Sequence, residues 1–319
     1  MGRVHRNRKR TVSGRKKLSA AVLFMLGLTL MVLYFYGKFS QQVRIREENH
    51  FTIIKESLAG REEIPLEEYL LGAMAVSLPE DASPEVCKAQ AVILRTHVEK
   101  LAKETGSFYL SYEVLCQESL TGMSLYDKYS GENANQLEVL QTAIQETKGE
   151  ILVYEEIPVE APFFSLSSGK TRNGNELSET ENYPYLQSVA CEEDTFAENY
   201  SQEIVINKKV WYGRLQGIFD TKEEIDLEKI QFKQDSAGYV TEVIWSGKKI
   251  SGESFREQLD LPSACFVVEE SENQIFIVTK GIGHGLGMSL YTANVMAAQG
   301  EDYRELLRYF FPLCEIVKN

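Results

Sequence analysis

The first seventeen residues contain no acidic side chain, and the chain as a whole has no CxxC pair and no internal repeat. Its five cysteines (Cys87, Cys116, Cys191, Cys265, Cys314) are scattered without metal-like spacing, and the four histidines (His5, His50, His97, His284) do not cluster with them. That pattern argues against a zinc centre, and no metal or other cofactor is expected. An odd number of cysteines in an exported protein leaves at least one thiol free or paired between chains. The glycine-rich string GIGHGLGM at 281–288 lacks the lysine of GxxxxGK[ST] and the strand–helix setting of a dinucleotide fingerprint, which argues against a phosphate cradle.

What charge there is lies unevenly. Eight Lys/Arg fall in residues 1–17, leaving 26 positive against 47 negative groups in the remainder, a balance of −21. So acidic a body repels a phosphate backbone, and no nucleic-acid partner is expected. The basic head is followed by LSAAVLFMLGLTLMVLYFYG, Leu18 to Gly37, without a charge. At helical rise this run is about 30 Å long, the thickness of a bilayer core. Tyr34 and Tyr36 stand at one end, where amphipathic rings favour the interface, and the preceding cations predict a cytoplasmic N-terminus. A cleaved signal peptide has a shorter apolar core followed by small residues, whereas KFSQQVRIREE follows here. The reading is a basic cytoplasmic tail (1–17), a single transmembrane helix (18–37), a polar stalk (38–50) and an extracytoplasmic domain (51–319).

Within that domain, FTII after His50 suits a first strand, AGREEIP a turn, and Pro65–Val76 a short helix with Leu66, Tyr69, Leu70 and Ala73 on a buried stripe. Ser83 as N-cap and Pro84 at the first helical position open the clearest helix, which runs to Gly106. A further helix is predicted over Asn133–Glu146, then a buried strand at Ile151–Tyr154. Residues 161–200, rich in Ser, Gly, Asn and Thr, read as a long loop of the kind that often carries function. Strands follow at Glu203–Ile206, Tyr239–Trp245 and Gln274–Thr279; Leu227–Phe232 is ambiguous. The tail has helical pattern in NVMAAQG and from Tyr303 to Phe310. Strands and helices mix without a βαβ beat, so the predicted class is α+β.

Four blocks carry a family resemblance: IPLEEYLLGAMAVSLPEDASPEVCKAQAVILRTH (64–97); YDKYSG (126–131) with ETKGEILVY (146–154); FFSLSSGKTRNG (163–174) with YPYLQSV (183–189); and KGIGHGLGMSLYTANVMAAQGEDYRELLRYFFP (280–312). In this order they resemble the stage II sporulation protein D (SpoIID/LytB) family over roughly 51–319. The resemblance implies a SpoIID-like domain with a substrate groove that binds peptidoglycan glycan strands. It also implies a role in engulfment beside an amidase of the SpoIIP kind and a membrane protein of the SpoIIM kind, on the mother-cell side of a sporulating bacterium. Better-studied members look like lytic transglycosylases that cut between N-acetylmuramic acid and N-acetylglucosamine; related domains are called amidase enhancers.

In such a reaction one carboxyl protonates the leaving glycosidic oxygen and then assists the sugar's 6-hydroxyl. The family keeps that acid in a Glu-Met-Pro turn; aligned on Pro79, Lys88 and Arg95, the position here is Ser77. A hydroxyl is too weak an acid to replace it. Glu80 and Asp81 are weak stand-ins that otherwise read as a solvated turn, and Glu85 reads as a first-turn carboxylate favoured by the helix dipole. Lys88 and Arg95, seven apart, project within about 20° of one another. They could grip substrate carboxylates, or else form a solvated face or an ion pair. Ser165, Ser167, Ser168 and Thr171 offer hydroxyls suited to a sugar. By resemblance Tyr185 lines the site, with Ser289 and Tyr291 retained beside it, while Gln187 and Leu290 replace a cation and a glutamine. His284 either bonds substrate or holds its loop. His97, where the family has tyrosine, reads as a packed ring. Two functions compete: a glycan-binding member degenerate in catalysis that supports an amidase complex, and an active lytic transglycosylase with a displaced acid.

Overall fold

The computed structural model describes residues 51–318 apart from 58–59, 116–118, 121, 130–133 and 178–182, together with Thr29 and Met31. Contacts divide the chain into Met1–His50 and Phe51–Asn319. Apart from Thr29 and Met31, the apolar run at 18–37 and the stalk lie outside the described residues, among which no helix is long and apolar enough to cross a membrane.

The second unit is α+β. In chain order it comprises β1 (Thr52–Ser57), β2 (Gly60–Pro65), α1 (Leu66–Ser77), α2 (Pro84–Thr105), β3 (Tyr109–Ser111), α3 (Gly122–Lys128), α4 (Ala134–Glu146), β4 (Glu150–Tyr154), β5 (Ile157–Pro158) and β6 (Phe163–Phe164). There follow β7 (Ser201–Asn207), α5 (Lys208–Ile218), β8 (Gln231–Gln234), β9 (Val240–Trp245), β10 (Lys248–Ser251), α6 (Gly252–Gln258), β11 (Phe266–Glu270) and β12 (Gln274–Lys280). β13 (Met288–Ser289), α7 (Leu290–Ala298), α8 (Tyr303–Phe310) and β14 (Glu315–Lys318) close the fold.

Two large apolar cores, with a small cluster of Ala237, Tyr239, Ala264 and Cys265 beside them, organise these elements. The first surrounds α2, whose Val86, Ala89, Val92, Ile93 and Val98 are buried against α1, α4, α7 and α8. Its start follows from the chain: Ser83 accepts a hydrogen bond from the Val86 N–H, Pro84 needs no donor partner, and Gly106 ends the helix in the left-handed conformation at φ 65°. Small sheets β2-β1-β3 and β14-β4-β5 flank it. The second core, around Trp211, Leu215, Phe255, Ile275 and Ile277, is built from the segment between Tyr200 and Gly281 and covered by sheets β11-β12-β7 and β10-β9-β8.

Two expectations need correction. AGREEIP is not a turn: Gly60–Pro65 pairs with Thr52–Ser57 in an antiparallel hairpin, and Pro65 is the N-cap of α1 rather than its first turn. The charges of GREE hide a strand because that strand is an edge, with most of its side chains in water. Helices α5 and α6 went unforeseen because each buries only two residues, Trp211 with Leu215 and Gly252 with Phe255, too few for a stripe to stand out.

The two cores meet where the glycine-rich loop crosses 162–169. Leu166 and Ile282 bridge there, and β13 pairs in parallel with β6. At Gly287, φ is 74° and an added Cβ would lie 2.0 Å from the Pro162 carbonyl oxygen. Glycine is required both for the backbone conformation and for the close approach. We predict that Gly287→Ala destabilises the domain by at least about 2 kcal/mol, read as a lower urea midpoint; an unchanged midpoint would show that the crossing is not tight.

Candidate functional site

The turn between α1 and α2 is held from three sides. Ser77, the last residue of α1, accepts a hydrogen bond from Gln90 Nε2 at 3.2 Å. Gln90 is buried on α2, and its Oε1 has no partner among the described residues. From α7, Asn294 Oδ1 accepts from the Ser83 N–H at 2.9 Å, and its Nδ2 donates to the Asp81 carbonyl at 3.5 Å. From α3, Lys128 Nζ donates to the Ala75 carbonyl at 2.5 Å, a cation at the C-terminal end of α1. The Glu80 and Asp81 side chains are exposed. Beside the turn, Leu78, Pro79, Glu80, Lys128, Tyr129, Gln136 and Leu140 line a hollow. On the other side of α4 an open groove is lined by Pro84, Lys88, Asn135, Glu138 and Thr142.

Both cations on α2 are paired within the domain, Arg95 in its interior and Lys88 at the groove wall. Lys88 Nζ bridges Glu85 at 2.7 Å and Glu146 at 2.8 Å, and these carboxylates, Glu146 foremost, push its pKa up. Glu85 Oε2 also accepts from the Tyr303 N–H at 2.9 Å, so this first-turn carboxylate of α2 faces the N-terminus of α8 as well. Arg95 is 2% exposed. Its Nη1 donates to the carbonyls of Thr147 (2.8 Å) and Glu150 (3.2 Å), and Nη2 reaches the Ile144 carbonyl (3.4 Å) and Glu67 (3.5 Å). The guanidinium thus caps the C-terminal end of α4. The seven-residue spacing does align the two cations; α4 packs over Arg95, which is closed to a substrate, while Lys88 stays at the wall of the open groove.

Of the long loop's hydroxyls Ser165 is exposed, while Ser167, Ser168 and Thr171 are turned inward. Asp194 is 0% exposed; it accepts from the Ser167 N–H (2.6 Å), Ser289 Oγ (2.8 Å) and Thr292 Oγ1 (2.7 Å). Ser168 Oγ donates to the Ala237 carbonyl at 2.9 Å, and its N–H to the Tyr239 hydroxyl at 3.1 Å. Thr171 Oγ1 accepts from the Val189 N–H at 2.9 Å. The Tyr185 hydroxyl accepts from the Glu160 N–H at 3.0 Å, and burial pushes its pKa up. His284 Nδ1 accepts from the Leu286 N–H at 3.1 Å, and burial pushes its pKa down, so of its two readings the neutral, loop-holding one matches these contacts. Tyr291 remains exposed.

Sequence reasoning passed over the groups that organise these residues: Gln90, Asp194, and the buried ion pair of Arg172 with Asp235 at 2.6 Å. Gln90 lies within the KAQAV block already singled out, and Arg172 within SGKTR; Asp194 in CEEDTF carried no signal beyond acidity. The structure brings Ser167 and Ser289 together through Asp194. Helix α7 extends from there to the turn that carries Ser77, Glu80 and Asp81. Burial pushes the thiols of Cys87 and Cys191 up to about 12, the charge of Asp194 adding to the latter, which makes both unreactive.

His97 is more than a packed ring. Its Nε2 lies 3.0 Å from the Leu115 carbonyl and its Nδ1 3.6 Å from Glu160 Oε1, and neither oxygen can donate a proton. Burial opposes a charge on the ring, but the Glu160 carboxylate and the Leu115 carbonyl outweigh it and raise the pKa, with Lys100 a smaller opposing charge. A raised pKa contributes stability that is complete below the unfolded value of about 6.5 and is lost as pH rises through the folded one. We therefore predict that the unfolding free energy of the wild type over His97→Gln falls between neutral and alkaline pH; a difference independent of pH would contradict the assignment.

Comparison with known proteins agrees with this architecture. The family model described as "SpoIID: Stage II sporulation protein" matches residues 55–154, from β1 to the end of β4. Stage II sporulation protein D of Bacillus amyloliquefaciens is 32% identical over 257 residues, covering 78% of this chain and 73% of the relative. That of Bacillus subtilis is 31% identical, covering 78% and 74%. The amidase enhancer of Bacillus subtilis is more distant, at 22% identity over 86% of this chain and 46% of the relative. Blocks expected from the residues alone, joined by shared packing around α2 and matched at this identity over most of both chains, show that the chain belongs to the stage II sporulation protein D family.

Proposed function

We propose that this protein is a membrane-anchored, peptidoglycan-binding member of its family that has lost the glycan-cleaving step and supports a cell-wall amidase complex during engulfment. The observation that carries the reading is the hydrogen-bonding at the α1–α2 turn. Ser77, at the position where the family keeps its acid, offers only a hydroxyl, tied to Gln90. The nearby Glu85 is bound to Lys88 and the Tyr303 N–H. A lytic transglycosylase needs a carboxyl that gives a proton to the glycosidic oxygen and then accepts one from the 6-hydroxyl, and an alcohol does neither near neutral pH.

Glycan binding would fall to the hollow and groove on either side of α4, where Glu80, Lys128, Gln136, Asn135, Glu138 and Thr142 present polar groups. The apolar run at 18–37 supplies the anchor and sets the acidic domain on the outer side, facing an amidase of the SpoIIP kind and a membrane protein of the SpoIIM kind. Arg95 would serve this site by holding α4 in place, and Lys88, bridged to Glu85 and Glu146, would present its ammonium at the groove wall.

One observation favours a second reading, an active lytic transglycosylase with a displaced acid: Glu80 lines the hollow beside Lys128 and Tyr129. Its exposure weighs against it, because a general acid must be held within hydrogen-bond reach of the oxygen it protonates and an open side chain is not so held.

Purified peptidoglycan incubated with the protein should be retained in a pull-down yet release no 1,6-anhydro-muramyl fragments by mass spectrometry. Ser77→Glu should produce or increase those fragments. Wild-type fragments that disappear in Glu80→Gln would establish the second reading. A folded Ser77→Glu that binds glycan and gains nothing would count against Ser77 as the lost acid position. No retention on the wall at all would exclude both.

A further inference from the structure

The sheet β11-β12-β7 has one covered and one open face. Ile275 and Ile277 of β12 point into the second core, while Val205, Phe276, Val267 and Val278 lie on the opposite face by strand alternation. Val205 is 45% exposed and Val267 55%.

The edge of β7 is open as well. Its register with β12 pairs Ser201 with Lys280 and Asn207 with Gln274. Just beyond the strand ends, the Gly281 N–H donates to the Tyr200 carbonyl and the Lys208 N–H to the Asn273 carbonyl. Hydrogen-bonding direction alternates along a strand. Even-numbered residues of β7 therefore face β12, and Ser201, Glu203, Val205 and Asn207 turn their main-chain groups to the open side. Among the other edges, β11 carries Glu269 and Glu270, β10 Lys248 and Lys249, β8 Lys233, β14 Glu315 and Lys318, and β2 Arg61, Glu62, Glu63 and Pro65, while β3, β5, β6 and β13 are only two or three residues long. β7, at seven residues, is the longest edge strand among the described residues, and it contains no proline, no lysine and a single charge, Glu203. A strand so left is a template for another strand.

We propose that β7 is a docking edge that takes β7 of a second copy of this chain, antiparallel about a two-fold axis through Ile204. Such an edge is self-complementary, because the two-fold presents the same N–H and C=O pattern to itself. In this register Ser201 of one copy lies opposite Asn207 of the other and Glu203 opposite Val205, so no like charges face directly. The pairing joins two three-stranded sheets into one of six and makes a single apolar band of their open faces. One shared strand pair is small beside a standard interface of about 1,600 Å², so the dimer is expected to dissociate on the order of 10 µM. The inference does not depend on the glycan reading.

Sedimentation velocity on the full chain in detergent, over a concentration series, tests it. The wild type should pass from monomer to dimer. Val205→Lys, which puts a charge on the open face without touching the bonds to β12, should weaken association at least about tenfold. Val205→Pro, which deletes an edge donor, should act likewise, with circular dichroism confirming the fold of both. In the wild type, the amides of Glu203 and Val205 should exchange more slowly as the dimer forms. A chain that stays monomeric to about 500 µM overturns the proposal. So does a dimer that both folded variants leave intact, which would place the contact elsewhere.

Discussion

A carboxylate taken wholly out of water must collect donors, and Asp194 collects three, from Ser167, Ser289 and Thr292. The constraint fixes more than one loop. Ser289 is both a donor to Asp194 and the N-cap of α7, so the carboxylate sets where that helix begins. Helix α7 in turn carries Asn294 to the α1–α2 turn, where it holds the Ser83 N–H and the Asp81 carbonyl. A buried charge thus ties the hydroxyl-rich loop to the turn that carries Ser77.

The junction of the two cores obeys a related rule. Arg172 pairs with Asp235, donates to the His284 carbonyl and lies over the Tyr239 ring at 5.2 Å. Tyr239 receives the Ser168 N–H and would collide with any side chain at Gly285. The glycines of GIGHGLGM therefore serve close packing of backbone against ring and strand rather than binding of a phosphate. At this junction the Arg172 guanidinium, the Asp235 carboxylate and the Tyr239 hydroxyl all find hydrogen-bond partners within the protein.

Helices α1, α2, α4, α7 and α8 around the first core were legible in the sequence, whereas of the second core only β7, β9 and β12 were. Helix α2 announced itself through Ser83, Pro84 and Gly106, and α8 through its pattern from Tyr303 to Phe310, because caps and periodicity are local properties of the chain. The site was legible only as a collection of types. Lys88, Arg95, Ser167, Ser168 and Thr171 have the chemistry of ligands for a sugar acid, but in the fold most of that chemistry is spent on carbonyls, carboxylates and N–H groups of the protein itself. Nothing in residue identity distinguishes a hydroxyl that faces a groove from one that bonds Asp194.

By itself, the sequence determined the family, the α+β class, the boundaries of the strongest helices and the absence of a carboxyl at position 77, since each is a matter of which residues occur in what order. Only the tertiary structure decided that Arg95 caps α4, that His97 faces two acceptors and that the β7 edge stays open. Those outcomes depend on which distant main-chain groups come within about 3 Å of a side chain, and such proximity is set by the packing of whole elements rather than by neighbours along the chain.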